Sequence, residues 1–259
     1  ANVTEGSDEH QIALEVVELC GRLPLTLAIA GGMILDNPEG LTSDLLDVMR
    51  EDRLREQEDE QEGWTLEERV IASSLTMIKS KNKALVEKVF RFFSVFPEDI
   101  AVPAGFFTVL APVLTGDDNE KKAKLAVGSS LSTLLKYNLI KGCLGVGSGI
   151  FMHDIVRDFV RAQHSTDELC ALQKTVVRTI IDARPEGGFR ATELTTAESF
   201  EGYAARQLFT HFRGALAEDE EPPDAWLAHP DQMIRLNLAM ALGVERLMAL
   251  SETRESAGE

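Results

Sequence analysis

The chain is short of cysteine, of aromatics other than phenylalanine, of positive charge and of long apolar runs, and each shortage removes a class of protein. Its three cysteines, Cys20, Cys143 and Cys170, are widely spaced and form no CxxC pair. That usage argues against a disulfide framework or a zinc site and suits a reducing, cytoplasmic location. Cys20 and Cys143 sit in apolar patterns and are expected in the core. No histidine stands in metal-ligand spacing with another or with a cysteine, so no metal is expected. The longest apolar stretch, Leu23 to Leu35, contains Pro24 and two glycines and is too short to span a bilayer. No charged-then-apolar leader opens the chain, and no membrane partner is expected. Lys and Arg number 26 against 43 Asp and Glu, for a net charge of −17. A field of that sign repels phosphate backbones and makes nucleic acid an unfavourable partner. The 259 residues also hold no GxxxxGKS or GxxxxGKT phosphate loop. That loop, its lysine and a magnesium-holding acid supply the positioning and charge neutralisation of phosphoryl transfer. The chain by itself is therefore not expected to be an enzyme.

What is present suits packed cores, with 44% hydrophobic residues over a length that allows two or three compact units. Ile12, Ala13, Val16, Val17, Leu19 and Cys20 recur at helical spacing after Ser7-Asp8, and Gly21 ends that helix. Pro24 opens the next helix, to Leu35, as proline in a first turn can. Gly31-Gly32 within it is expected to let another backbone approach. Asn37-Pro38-Glu39-Gly40 signals a turn before a short helix around Leu41 to Met49. Residues 51–65 form an acidic linker: Glu51 to Gly63 carries one apolar residue, Leu54. Thr65 and Glu68 make a capping-box start for a helix through Val70, Ile71, Ser74, Leu75 and Ile78.

A phenylalanine-rich helix from Leu85 to Phe96 is stopped by Pro97, and Pro103 begins another through Phe106, Phe107 and Leu110. Lys121 to Tyr137 reads as a third, with Leu125, Val127, Leu131, Leu134 and Leu135 inward. The period then switches: Leu139 to Leu144, a glycine turn, and Ile150 to Met152 read as strand, turn, strand. Asp154 is expected to cap a helix through Ile155, Val156, Phe159 and Val160. Three helices, a β-hairpin and a closing helix make a winged-helix unit over residues 66–165. Residues 166–259 are helical by pattern, a connector or the start of helical repeats, with one stretch from Leu227 to Arg235 faintly like a HEAT-type repeat. His10, His164, His211 and His229 read as polar boundary residues.

Three blocks in this order resemble the later part of the NB-ARC domain, the nucleotide-switch module of plant resistance proteins and apoptotic protease-activating factors. Cys20-Gly21-Arg22-Leu23-Pro24-Leu25 resembles the GLPL block, with Arg22 where that block usually has glycine. Phe92-Phe93-Ser94-Val95-Phe96-Pro97-Glu98-Asp99 is similar to the family's phenylalanine-rich helix ending in FPED. Met152-His153-Asp154, about 130 residues after the first block, resembles the MHD block. The resemblance implies a mainly α chain: an ARC1-type helical bundle over residues 1–50, then the winged helix, then a helical connector. It implies ADP or ATP as ligand only together with a further nucleotide-binding half. Leu23 and Pro24 would then stand against adenine, and His153 would hydrogen-bond the β-phosphate of ADP. Met152 and Asp154 would belong to the interdomain switch.

The implied partners are the chain's own upstream nucleotide-binding domain, further copies in a full-length homo-oligomer, and proteins met through the C-terminal helices. An opening on Ala1 rather than Met points to a fragment or processed product. Two other readings compete. A stand-alone helical scaffold would be indifferent to ADP. A DNA-binding winged helix would draw on Lys121, Lys122, Lys124 and Lys136, but its wing turn, Gly145 to Gly149, carries no charge.

Overall fold

The computed structural model describes residues 5–37, 64–98, 100–145, 148–183, 199–216 and 222–243, with positions 43, 46, 47, 49 and 50. Helix α1 (Asp8–Leu19) starts where the Ser7 hydroxyl accepts the His10 N–H. It ends in a Schellman turn: Gly21 N–H returns to the Glu18 carbonyl and Arg22 N–H to Val17. Helix α2 (Pro24–Asp36) has its proline in the first position, where no N–H is missed. Helix α3 (Leu66–Met77) begins with the expected capping box, Thr65 Oγ1 accepting from Glu68 N and Glu68 accepting from Thr65 N at 2.7 Å. The described positions between 43 and 50 are helical, with Leu46 and Met49 buried. The acidic linker from Glu51 to Gly63 lies outside the described residues.

The centre of the chain runs α4 (Lys83–Phe92), a 3-10 turn (Phe93–Val95), β1 (Val102–Pro103), α5 (Ala104–Thr115), α6 (Glu120–Lys136), β2 (Lys141–Gly142), β3 (Gly149–Phe151) and α7 (Asp154–Ala162). The three strands make an antiparallel sheet in the order β1-β3-β2, with Val102 opposite Ile150 and Lys141 opposite Phe151. Helix α4 places Leu85, Val86, Val89, Phe90 and Phe92 in the core, one apolar stripe at helical period. Phe93, Phe96, Phe106 and Phe107 interlock at centroid separations of 5.0–6.4 Å, in edge-on and stacked pairs. Each buried ring contributes about 2–3 kcal/mol of transfer free energy. Helices α8 (Thr166–Asp182), α9 (Phe200–Ala215), α10 (Asp224–Leu227) and α11 (Gln232–Leu242) follow, α9 packing on both α8 and α11. The described residues are thus mainly helical with one small sheet, and none of their helices is long and apolar enough to cross a membrane.

One network joins α8 and α9 to the phenylalanine cluster. Gln173 of α8 donates to the Val95 carbonyl at 2.9 Å. Its Oε1 meets His211 Nδ1 at 2.6 Å, and His211 Nε2 meets the Tyr203 hydroxyl at 2.8 Å. The set closes only if Nδ1 carries the proton and Nε2 accepts from tyrosine. His211 and Tyr203 are fully buried. Burial lowers the His211 pKa to about 3 and raises that of Tyr203 well above its usual value.

Several expectations change. Leu125, expected inward, is 76% exposed, because the buried stripe of α6 runs through Ala123, Val127, Leu131 and Leu134. Cys143, expected in the core, is exposed beyond the end of β2, while Cys20 is buried and burial pushes its thiol up to about 11. Pro103 belongs to β1 and caps α5 rather than lying inside it. The N-cap of α7 is His153, not Asp154. His211 is a core residue, not a boundary one, and the His164 side chain is only 6% exposed.

Candidate functional site

The Cys20–Pro24 turn is built by its own backbone. Thr26 Oγ1 donates to the Cys20 and Leu23 carbonyls at 2.7 and 2.9 Å and locks the turn onto α2. Gly21 and Arg22 both have φ of +60°. For Arg22 that is the left-handed region, which an L side chain enters at a cost of about 1–2 kcal/mol. Its compensation is a bond to Glu18 on the preceding turn, 3.1 Å from Nε, with both side chains mostly exposed. Such exposed pairs contribute only a few tenths of a kcal/mol. The backbone here is therefore a glycine conformation occupied by arginine. Arg22→Gly is expected to stabilise the chain by about 0.5 kcal/mol after the added freedom of the unfolded glycine is subtracted, and Arg22→Ala to destabilise it slightly. Urea unfolding of the two variants decides the point: equal midpoints would remove the glycine-like character of this position.

Leu23 is the N-cap of α2 and half-buried; Pro24 follows it and is exposed, so its ring faces outward rather than into the core. At the other block, Met152 is 7% exposed and packs in the core, whereas the His153 side chain is 40% exposed and Asp154 more so. His153 Nδ1 lies against Asp154 Oδ1, and the Ile155 N–H, 3.4 Å from Nδ1, is better served by Asp154 Oδ1 at 2.7 Å. A proton on Nδ1 satisfies the carboxylate, which leaves Nε2 without a partner among the described residues and turned to whatever approaches.

The first block and the helix that follows the second both pack on one element. The Gly21 turn abuts the first turn of α3, where a Cβ on Gly21 would lie 2.5 Å from Leu66 Cδ2. Trp64, just ahead of α3, packs edge-on against Phe159 of α7 at 5.5 Å. Helix α3 also packs against both α2 and α7. Helix α7 is anchored in turn to the FPED segment: Arg157 donates to Glu98 at 3.1 Å and Arg161 to the Ser94 carbonyl at 3.2 Å. Burial opposes the charge on Arg157, yet Asp158 and Glu98 outweigh it and its pKa is raised. The Glu98–Arg157 pair was missed in the sequence. Its signal was an acid directly after the phenylalanine-rich helix and a base one turn into the helix after Met152-His153-Asp154.

The two blocks offer an exposed proline ring and a half-buried leucine in one, and an imidazole beside a carboxylate in the other. Chemically they suit a flat apolar group and, when the imidazole carries both protons, can donate one hydrogen bond from Nε2 to an anionic oxygen; they contain no nucleophile–base pair among the described residues. Among the described residues no group of three or more His, Cys, Asp or Glu side chains is placed to hold a metal. No protein-family model matches the chain, and no curated protein is significantly similar to it.

Proposed function

We propose that this chain is the ADP-clamping, regulatory part of an NB-ARC-type nucleotide switch in cytoplasmic signalling of the defence or cell-death kind. In this reading residues 1–50 form the ARC1-type unit, residues 66–165 the winged helix and residues 166–259 a helical connector. The observation that carries it is that the Gly21 turn of the first block and α7, the helix that follows the second, both pack at the start of α3. Two further features support it: the glycine-like backbone at Arg22, and a helix–strand–helix–helix–hairpin–helix order with β3 between β1 and β2, which suits a winged helix.

ADP bound together with an upstream phosphate-loop domain would supply the adenine face for Leu23 and Pro24 and the phosphate oxygens for His153. Proline is suited to the base because its ring is apolar and carries no N–H. With Nδ1–H held by Asp154, Nε2 donates to a phosphate oxygen only when the ring carries both protons, and that charge strengthens the bond. Helix α7 would tie nucleotide state to domain position, because His153 opens it and Arg157 and Arg161 fasten it to the segment after α4. A contact made only with ADP biases the equilibrium towards the closed state, and its loss releases the winged helix.

The test is ADP dissociation from this chain joined to a phosphate-loop domain. A hydrogen bond to a charged group is worth about 1.5–3 kcal/mol, so His153→Ala should speed ADP release roughly ten- to a hundredfold. An unchanged rate would remove His153 from the clamp.

A further inference from the structure

On a different face of the molecule, a cleft of about 580 Å³ opens between the end of α2, the α3–α4 loop and one side of α6. Its lining carries three lysines, Lys79, Lys81 and Lys136, in a chain whose net charge is −17. Asp36 is the sole carboxylate of that lining, and both its oxygens are engaged, Oδ1 by Lys136 and Oδ2 by the Tyr137 hydroxyl at 2.6 Å. Those two partners hold its pKa down, with Lys79 adding to the same field.

Several of the remaining polar groups hold unspent donors. Lys79 and Lys81 form no ion pair among the described residues. The Ser80 hydroxyl accepts the Asn82 N–H at 3.2 Å and still has its own proton to give. The Ser129 hydroxyl and the Asn82 side-chain amide bond nothing among the described residues. Unspent donors from the α3–α4 loop and α6 thus share one concave surface whose single carboxylate is already engaged. An acceptor-rich occupant suits such a surface, and clustered phosphate oxygens would meet it with charge-assisted bonds.

We propose that this cleft binds a small polyphosphorylated ligand, with Lys79, Lys81 and Lys136 as its cations and Ser80, Ser129 and Asn82 as neutral donors. Its dimensions suit a compact molecule. A nucleic-acid strand needs a continuous cationic track, and α6 offers none beyond the cleft, since Lys122 pairs with Asp117 at 2.6 Å and Lys124 with Glu120. The cleft uses neither Pro24 nor His153, so it stands or falls independently of the nucleotide clamp.

The experiment is titration calorimetry of the full chain with sodium tripolyphosphate at low salt. Saturable one-site binding is expected, tightening as salt falls. Lys79→Gln combined with Lys81→Gln should weaken it about tenfold or more. Lys121→Gln, on α6 outside the cleft, and His153→Ala should leave it unchanged. Absence of binding at millimolar tripolyphosphate, or equal affinity in the double variant, overturns the proposal. A twenty-base-pair duplex that outcompetes tripolyphosphate through the same lysines also overturns it and assigns the surface to nucleic acid.

Discussion

Replacing Gly32 by alanine is expected to cost about 3 kcal/mol or more and to lower Tm by roughly 6–12 °C. A Cβ at this position would lie 2.5 Å from the Lys136 carbonyl oxygen and 2.6 Å from Tyr137 Cα. Both are backbone atoms, so no rotamer change makes room, and α2 must move away from the end of α6. That movement strains the Asn138 side chain's bond to the Ala28 carbonyl at 2.8 Å and the Tyr137 bond to Asp36. It would also disturb the lysine-lined cleft, whose lining includes Asp36 and Lys136. Gly31 is the control, since a Cβ there meets nothing within 4 Å. Gly31→Ala should instead stabilise α2 by up to about 1 kcal/mol through helix propensity. The same change at adjacent positions should therefore have opposite signs in urea unfolding. Equal effects would mean that α2 and the end of α6 do not approach as described.

Acid should destabilise the chain through His211 well above the range in which carboxylates titrate. Its pKa is about 3 when folded and about 6.5 when unfolded. Between those values the unfolded chain takes up a proton that the folded chain refuses, so stability rises with pH across the window. The contribution is fully present above the unfolded value and is lost as pH falls towards 3. At pH 5 the loss relative to pH 7.5 is about 2 kcal/mol. His164, whose pKa is lowered by burial and by Arg91 against the opposing field of Glu168, acts with the same sign.

His211→Leu separates the two histidines. At pH 7.5 it should cost about 3 kcal/mol, because the Tyr203 hydroxyl and the Gln173 amide oxygen lose their partner inside the core. Between pH 7.5 and 5, however, its stability should fall less than that of the unsubstituted chain. Unfolding free energies at pH 7.5, 6 and 5 provide the comparison. Parallel pH profiles for the two proteins would show that His211 takes up protons while folded.

Much of the local structure was legible because its causes are local. Thr65 and Glu68 satisfy each other's backbone across one turn and need no distant residue, so four letters suffice to start α3. Gly21 ends α1 for the same reason. Periodicity also marked the apolar stripe of α4, though not the short 3-10 turn at its end. It failed for Leu125 on α6, where spacing alone admits more than one inward direction and the packing partners choose. Strand β1 could not be read from two residues, one of them proline; it exists because Val102 finds Ile150, 48 positions away. Of the candidate site, the backbone of the Gly21 turn and the start of α7 were local and visible. The approach of the Gly21 turn and of α7 to α3 was not.

By itself, then, the amino-acid sequence determined a mainly helical chain with its helix starts, the glycine turn after α1 and the absence of a phosphate loop. Those are matters of hydrogen bonds satisfied within a few residues and of groups that are present or missing. Tertiary structure alone decided that Gly32 and not Gly31 admits a neighbouring backbone, and that His211 stays neutral in a closed network. It also decided that Cys143 faces outward and that lysines from the α3–α4 loop and α6 share one cleft. Each of these depends on which surface covers a residue, and residues far apart in the chain supply that cover.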